Sequence, residues 1–323
     1  MNLTAKIYHD EDAARRHFEA IRWPNGPECP HCGVVGEATE LKGKSTRPGV
    51  YKCKACRKPF SATVGTLFER SKIPLSKWLL ATHLLTASKK GMSAHQLWRM
   101  LGFGSYRTAW FMAHRIRESM REINPNDAHG PLGGEGKIVE ADETFIGGKE
   151  KNKHRNKQHK AGRGWTGKQP VFSLVERGGR VRSRTVKSVS AKTLRPIMTA
   201  QIDRATRLMT DDAGQYRHMG KDFDHEVVNH GILEYVRGDA HTNTIESYFA
   251  ILKRGITGVY HHVSPQHLKR YLAEFDFRYN ERAALDVTDE ERARKAIEGV
   301  RGKRLTYRQP DRRTDGESAL HAR

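Results

Sequence analysis

The spacing of apolar positions changes character along this chain, and each change predicts a different set of elements. Residues 10–21 repeat as a short helix with acidic residues in its first turn, where they complement the helix dipole. Between 74 and 121 the spacing is helical again. Leu75, Trp78, Leu79, Leu84 and Leu85 form one amphipathic element that closes near Lys90 and Gly91. Ser93 is placed to cap a short helix carrying Ala94, Leu97, Met100 and Leu101. After a turn at Gly102, Phe103 and Gly104, Ser105 caps a longer helix. Ala109, Ala113, Ile116 and Met120 face inward on it, with Arg107, His114, Arg115 and Arg117 on other faces. Three helices with a glycine turn before the third match a helix-turn-helix, whose last helix enters the major groove. A plain helical connector with solvated basic faces would carry the same pattern.

Past the glycine-rich stretch 130–136 the period shortens to that of strands. Residues 138–146 (IVEADETFI) read as a strand, 169–175 as a second and 181–186 as a third, with the Gly178-Gly179 turn between the last two. A helix is expected over 192–202 and a fourth strand over 206–210, ending at Asp211 and Asp212. A short helix, a strand near 226–229 and a helix opening at Thr242 or Asn243 follow. After Pro265 comes a helix with Leu268, Tyr271, Leu272, Phe275 and Phe277. From about 302 onward the tail is polar and expected to be disordered. The domains expected are 1–65 (helix and zinc ribbon), 66–128 (helix-turn-helix), 129–282 (an α/β core) and 283–323 (a C-terminal helix and basic tail).

Composition narrows the partners. The chain has 323 residues, with 58 Lys and Arg against 37 Asp and Glu, a formal net charge of +21. A surplus of that size points to a polyanion, and nucleic acid is the commonest one. No apolar run is long enough to span a bilayer, and residues 1–10 lack the apolar core of a signal peptide, so a cytoplasmic location without membrane association is expected.

All four cysteines fall in one pattern: Cys29 and Cys32, then Cys53 and Cys56, two C-x-x-C pairs twenty residues apart. That separation fits a tetrahedral thiolate zinc site with each pair on a tight turn. Disulfides would need an oxidising compartment. With every position filled by cysteine, one structural Zn2+ is expected and no open coordination position for chemistry.

The core's order of three strands, helix, strand, helix, strand, helix is that of the ribonuclease H-like fold. In that architecture the middle of the first strand, the end of the fourth and the helix after the fifth converge. Here they carry Asp142, Asp211 and Glu246. Three carboxylates so gathered can hold two divalent cations for an in-line displacement on phosphorus, and oxygen ligation suits magnesium. Any one of these acids alone is more often a strand-end residue, a helix cap or half of a surface ion pair. On the last helix Lys253 lies seven residues beyond Glu246, on the same face and roughly 10 Å away. Between the first two strands, residues 149–168 hold eight Lys or Arg and one acid. Lys149, Lys151, Lys153, Arg155 and Lys157 of this loop suit contact with phosphates, although a solvated insertion would look the same.

Several motifs combine with the cysteine pairs: Gly65-Thr66-Leu67-Phe68, residues 139–148 (VEADETFIGG), 210–216 (TDDAGQY), 241–247 (HTNTIES) with 252–255 (LKRG), 258–262 (GVYHH) and 277–280 (FRYN). Together they make the chain resemble the zinc-ribbon DDE transposases of bacterial insertion sequences, the ISXO-two-like group, over about residues 18–282. The resemblance implies that Asp142, Asp211 and Glu246 are the catalytic acids, binding two Mg2+ (or Mn2+). It implies that Lys253 positions the DNA end. In some relatives an asparagine at the position of Asn243 replaces the glutamate. It further implies DNA as partner (element ends and target), a homodimer or larger assembly where two ends are paired, and a nucleoid-associated protein. Arg107, Arg115, Arg117, Asn243 and Arg254 join the loop lysines as candidate DNA contacts. A DNA-binding regulator with an inactive core, or a nuclease that cuts without joining, would share most of these features.

Overall fold

The computed structural model describes residues 3–123, 125–148, 152, 154, 166–229 and 236–306. Helix α1 (Glu11–Arg22) begins where Asp10 accepts the Ala13 N–H at 2.7 Å, the cap its sequence calls for. A small antiparallel sheet follows, β1 (Ala38–Glu40), β2 (Val50–Cys53) and β3 (Pro59–Ser61), in that order. Then come α2 (Leu75–Ala87), α3 (Ala94–Leu101), α4 (Tyr106–Ser119) and the short α5 (Pro125–His129). Ser93 and Ser105 cap α3 and α4, accepting the N–H groups of Gln96 and Arg107. Gly102 ends α3 in the left-handed conformation.

The second half is a mixed α/β unit. Its strands are β4 (Ile138–Ile146), β5 (Gln169–Glu176), β6 (Val181–Thr185), β7 (Arg207–Asp211) and β8 (Asp224–Val228), in the sheet order β6-β5-β4-β7-β8. The pairs β4–β5 and β5–β6 are antiparallel, while β4–β7 and β7–β8 are parallel. Helix α6 (Ala191–Gln201) makes the crossover to β7, and two 3-10 turns (Gly214–Tyr216 and Met219–Lys221) lead to β8. Helix α7 (Asn243–Gly255) runs on into a π-helical turn (Ile256–Tyr260). It is followed by α8 (Pro265–Asn280) and α9 (Asp289–Glu298).

Strand alternation sorts the sheet into two faces. Val139, Ala141, Phe172 and Leu174 pack with Leu194 and Met198 of α6 and with Tyr216. Ile146, Val171 and Val175 pack on the opposite face with Ile245, Tyr248 and Leu252 of α7 and with α8. A third core joins α1, the cysteine module and α2–α4, and α9 inserts Ala296 and Ile297 into it. The last helix among the described residues therefore closes on the N-terminal part.

The helical stretch is tied to the sheet by a buried ionic group. Glu274 of α8, with no exposure, accepts from Arg117 of α4 at 2.6 Å, from Arg278 and from Tyr260 at 2.6 Å. Three donors on one carboxylate offset its desolvation, and its pKa stays below the usual range: burial pushes it up, but Arg278 and Arg117 outweigh that.

Candidate metal centres

The four cysteines meet at the base of the small sheet. Their sulfurs all lie within 4.8 Å of one another, with Cys29–Cys56 at 3.6 Å and Cys32–Cys53 at 3.7 Å. Sulfurs about 2.3 Å from a central zinc form a tetrahedron with edges of about 3.8 Å, whereas a disulfide needs about 2.05 Å. The spacing fits zinc and excludes disulfides. Burial opposes ionisation of Cys29, yet N–H donation from His31 and Cys32, with the neighbouring sulfurs, brings its thiol down to about 6, while Cys32, against N–H donation from Val34, is pushed up to about 11 by burial and the sulfurs around it.

The second cluster is built across the sheet. Glu140 of β4 pairs with Met209 of β7. Two residues further along each strand, past the last paired residues, stand Asp142 and Asp211, on the strand face that turns toward α7. Glu246 arrives on the first turn of α7, exposed, and accepts from the Thr242 hydroxyl at 3.1 Å. What fixes that turn is Glu140. Wholly buried, it accepts from the Thr244 hydroxyl and the Ile245 N–H at 2.8 Å and from Arg177 Nε at 2.6 Å. Its carboxylate thus caps α7 from outside, and the helix dipole favours an anion there. Arg177 continues the chain of bonds to the His241 carbonyl at 2.8 Å.

The electrostatics record the crowding. Burial, then the charge of Glu143, then those of Asp211 and Glu246 push Asp142 up to about 8, although the Glu143 N–H donates to it. Glu143, adjacent in sequence, points to the other face of the strand. It accepts from Gln215 at 2.7 Å and Tyr216 at 2.6 Å, bracing the turn that follows Asp211. Glu140 and Glu143 have their oxygens engaged in bracing α7 and the turn after β7, whereas Asp142 feels the charges of Asp211 and Glu246. The chemistry of the donor set fits divalent cations: hard oxygens whose mutual repulsion a cation would offset. Among the described residues only the cysteines close to within 4.8 Å as a set, so the three acids stand further apart.

Residues 131–280 match the ISXO2-like transposase domain and residues 9–59 match the transposase zinc-ribbon domain. A Halobacterium salinarum protein, described as an uncharacterised protein in transposable element ISH50, is 30% identical over 289 residues, spanning 85% of this chain and 93% of the relative. The chain belongs to the ISXO2-like transposase family. Its cysteine module is the family's zinc ribbon, and DNA is the partner that membership implies.

For this transposase-family chain the candidate DNA contacts separate. Lys253, Arg254 and Asn243 are exposed on α7, Lys253 lying 6.0 Å over the Phe249 ring. Arg107 is exposed at the start of α4. Arg115 is half-buried, its guanidinium 4.8 Å over Phe111 and its Nε donating to the Leu305 carbonyl. Arg117 does not lie on an outward face: it is 1% exposed and spent on Glu274, because α8 covers this side of α4. His114 is buried for the same reason. Lys149, Lys151, Lys153, Arg155 and Lys157 lie outside the described residues. No helix among those described is long and apolar enough to cross a membrane. Spacing alone did not single out the roles of Glu140 and Arg177. The signal available was that Glu140 shares a strand face with Asp142.

Proposed function

We propose that this chain is the DDE transposase of an insertion sequence, binding the element's ends, cutting them and joining the freed 3′-hydroxyl to target DNA. The observation that supports the proposal is that Asp142 of β4, Asp211 at the end of β7 and Glu246 on the first turn of α7 are near enough to interact: behind burial and Glu143, the charges of Asp211 and Glu246 raise the pKa of Asp142. The antiparallel-then-parallel order β6-β5-β4-β7-β8 supports a ribonuclease H-like core. The capped pair α3–α4, with Arg107 exposed at the start of α4, supports a helix-turn-helix. Asp142, Asp211 and Glu246 would hold Mg2+ or Mn2+, which supplies charge neutralisation at the attacking and leaving oxygens. Lys253, two turns beyond Glu246, would hold a phosphate of the DNA end. Glu140 and Arg177 orient the turn that bears Glu246 without touching the reacting atoms. Water is the first nucleophile and the 3′-hydroxyl the second, so no Ser or Tyr of the protein needs to attack. Two copies at least are proposed where two ends are paired.

The test is mobility in cells of a marker flanked by the gene's native DNA, with the protein supplied in trans as wild type and as Asp211→Asn. Movement with the wild type and a loss of roughly 10²–10³-fold or more with the variant is expected, the scale seen when one transition-state contact is removed. A folded, DNA-bound wild type that moves nothing would favour the regulator or the cut-only nuclease.

A further inference from the structure

Beside the strip of α7 that bears Glu246 and Lys253 runs a second one, Ser247, Ala250 and Arg254. With Lys89, Lys90 and Ile251 these residues line an open groove whose walls, among the described residues, carry three cations and no acid. Lys89, Lys90 and Arg254 are all exposed. The two lysines belong to the loop between α2 and α3, far from α7 in sequence, and close glycine contacts bring them there. A Cβ on Gly255, the last residue of α7, would lie 2.8 Å from the Lys90 carbonyl oxygen and 2.3 Å from the Phe275 ring. A Cβ on Gly91 would fall 1.8 Å from the Tyr260 hydroxyl. That hydroxyl donates to Glu274, the carboxylate that also holds Arg117 and Arg278. The Ser88 hydroxyl donates to the Gly91 carbonyl at 2.8 Å and closes the loop on itself. Lys89 and Lys90 are thus fixed against α7 through a buried network.

We infer that this groove seats the phosphate backbone of the duplex next to the cut, with Lys89, Lys90 and Arg254 as its contacts. The inference rests on α7 being the helix that presents the catalytic acid. Three cations without a counter-charge match a polyanion, and the small side chains of Ser247 and Ala250 let a backbone approach the helix. On α7 the strip of Ser247, Ala250 and Arg254 lies beside that of Glu246 and Lys253, so a strand lying in the groove runs along the helix that bears the acid. Because the lysines come from the helical stretch and Arg254 from α7, one DNA segment bridges both parts of the molecule.

The experiment measures binding of the full chain to an element-end duplex across 50–200 mM salt. It compares wild type, K89A/K90A and a control, K187A/K192A, whose exposed lysines lie at α6 on the sheet's other side. Each phosphate contact contributes about 0.9 to the slope of log K against log salt. The K89A/K90A slope is therefore expected to be shallower by up to about 1.8, with weaker binding, an unchanged melting temperature and an unaffected control. A K89A/K90A slope equal to the wild type's overturns the groove, and so does an equal flattening in the control. A wild type that neither binds nor cuts the end would instead overturn the function itself, which keeps the two failures distinguishable.

Discussion

The cysteine site and the carboxylate cluster proposed to hold catalytic cations are built in opposite ways. The cysteines come from two tight turns of one small module, and their sulfurs already stand at the edge lengths of a zinc tetrahedron. Nothing is left for a substrate. The carboxylates come from the middle of β4, the end of β7 and the start of α7, and burial, then the charges of Glu143, Asp211 and Glu246, push Asp142 up to about 8. Glu246 remains exposed. A structural metal needs a closed shell that the protein completes. A phosphoryl-transfer site must stay incomplete so that substrate oxygens finish it, and the protein stores repulsion there instead.

The sharpest way to break this contrast is Cys53→Ser. Zinc binding by such modules is worth about 10 kcal/mol or more of folding free energy. The variant is expected to lose its one zinc per chain and the order of β1–β3, read by metal analysis and limited proteolysis. Unchanged zinc content would remove the closed-shell account.

A smaller effect is expected from Glu140→Gln. Removing the charge leaves Arg177 without its carboxylate and weakens the cap on α7, costing about 2 kcal/mol or more of stability. End cleavage should slow while DNA affinity holds, because Glu140 touches the Glu246 turn and not the groove. Full cleavage by a folded E140Q would show that the first turn of α7 needs no such grip.

The smallest effect, and the one that separates the two sites most cleanly, concerns pH. Asp142 titrates near 3.8 unfolded and near 8 folded, so the metal-free native state binds the extra proton. Its stabilising contribution is complete below about pH 4 and is lost as pH rises through 8. Asp142→Asn should therefore raise the melting temperature at pH 8, by about 2–5 °C, and not at pH 4. Added Mg2+ should stabilise the wild type at pH 8 and leave the variant unmoved. An equal Mg2+ response in both would place the cation elsewhere.

Much of this could be read along the chain. The C-x-x-C spacings carry the ribbon, since each pair's geometry is local. The serine caps of α3 and α4, the nine residues of β4 and the start of α7 follow from short-range rules of capping and periodicity. The sequence order of strands and helices was enough to nominate Asp142, Asp211 and Glu246 together. Burial and charge pairing were not legible. Arg107 and Arg117 both lie off the apolar stripe of α4, about 80° apart around the helix, yet α8 buries Arg117 against Glu274 and leaves Arg107 in solvent. Glu140 and Glu143 flank Asp142 in a run of acids, and only the packing of α7 on one face and Tyr216 on the other assigns each its bonds. Helix propensity, turn chemistry and metal-ligand spacing act within a few residues, so the sequence determined the elements and the donors. Which charges meet, and which of them remain open to DNA, depends on elements a hundred residues apart coming into contact, and the tertiary structure decided that.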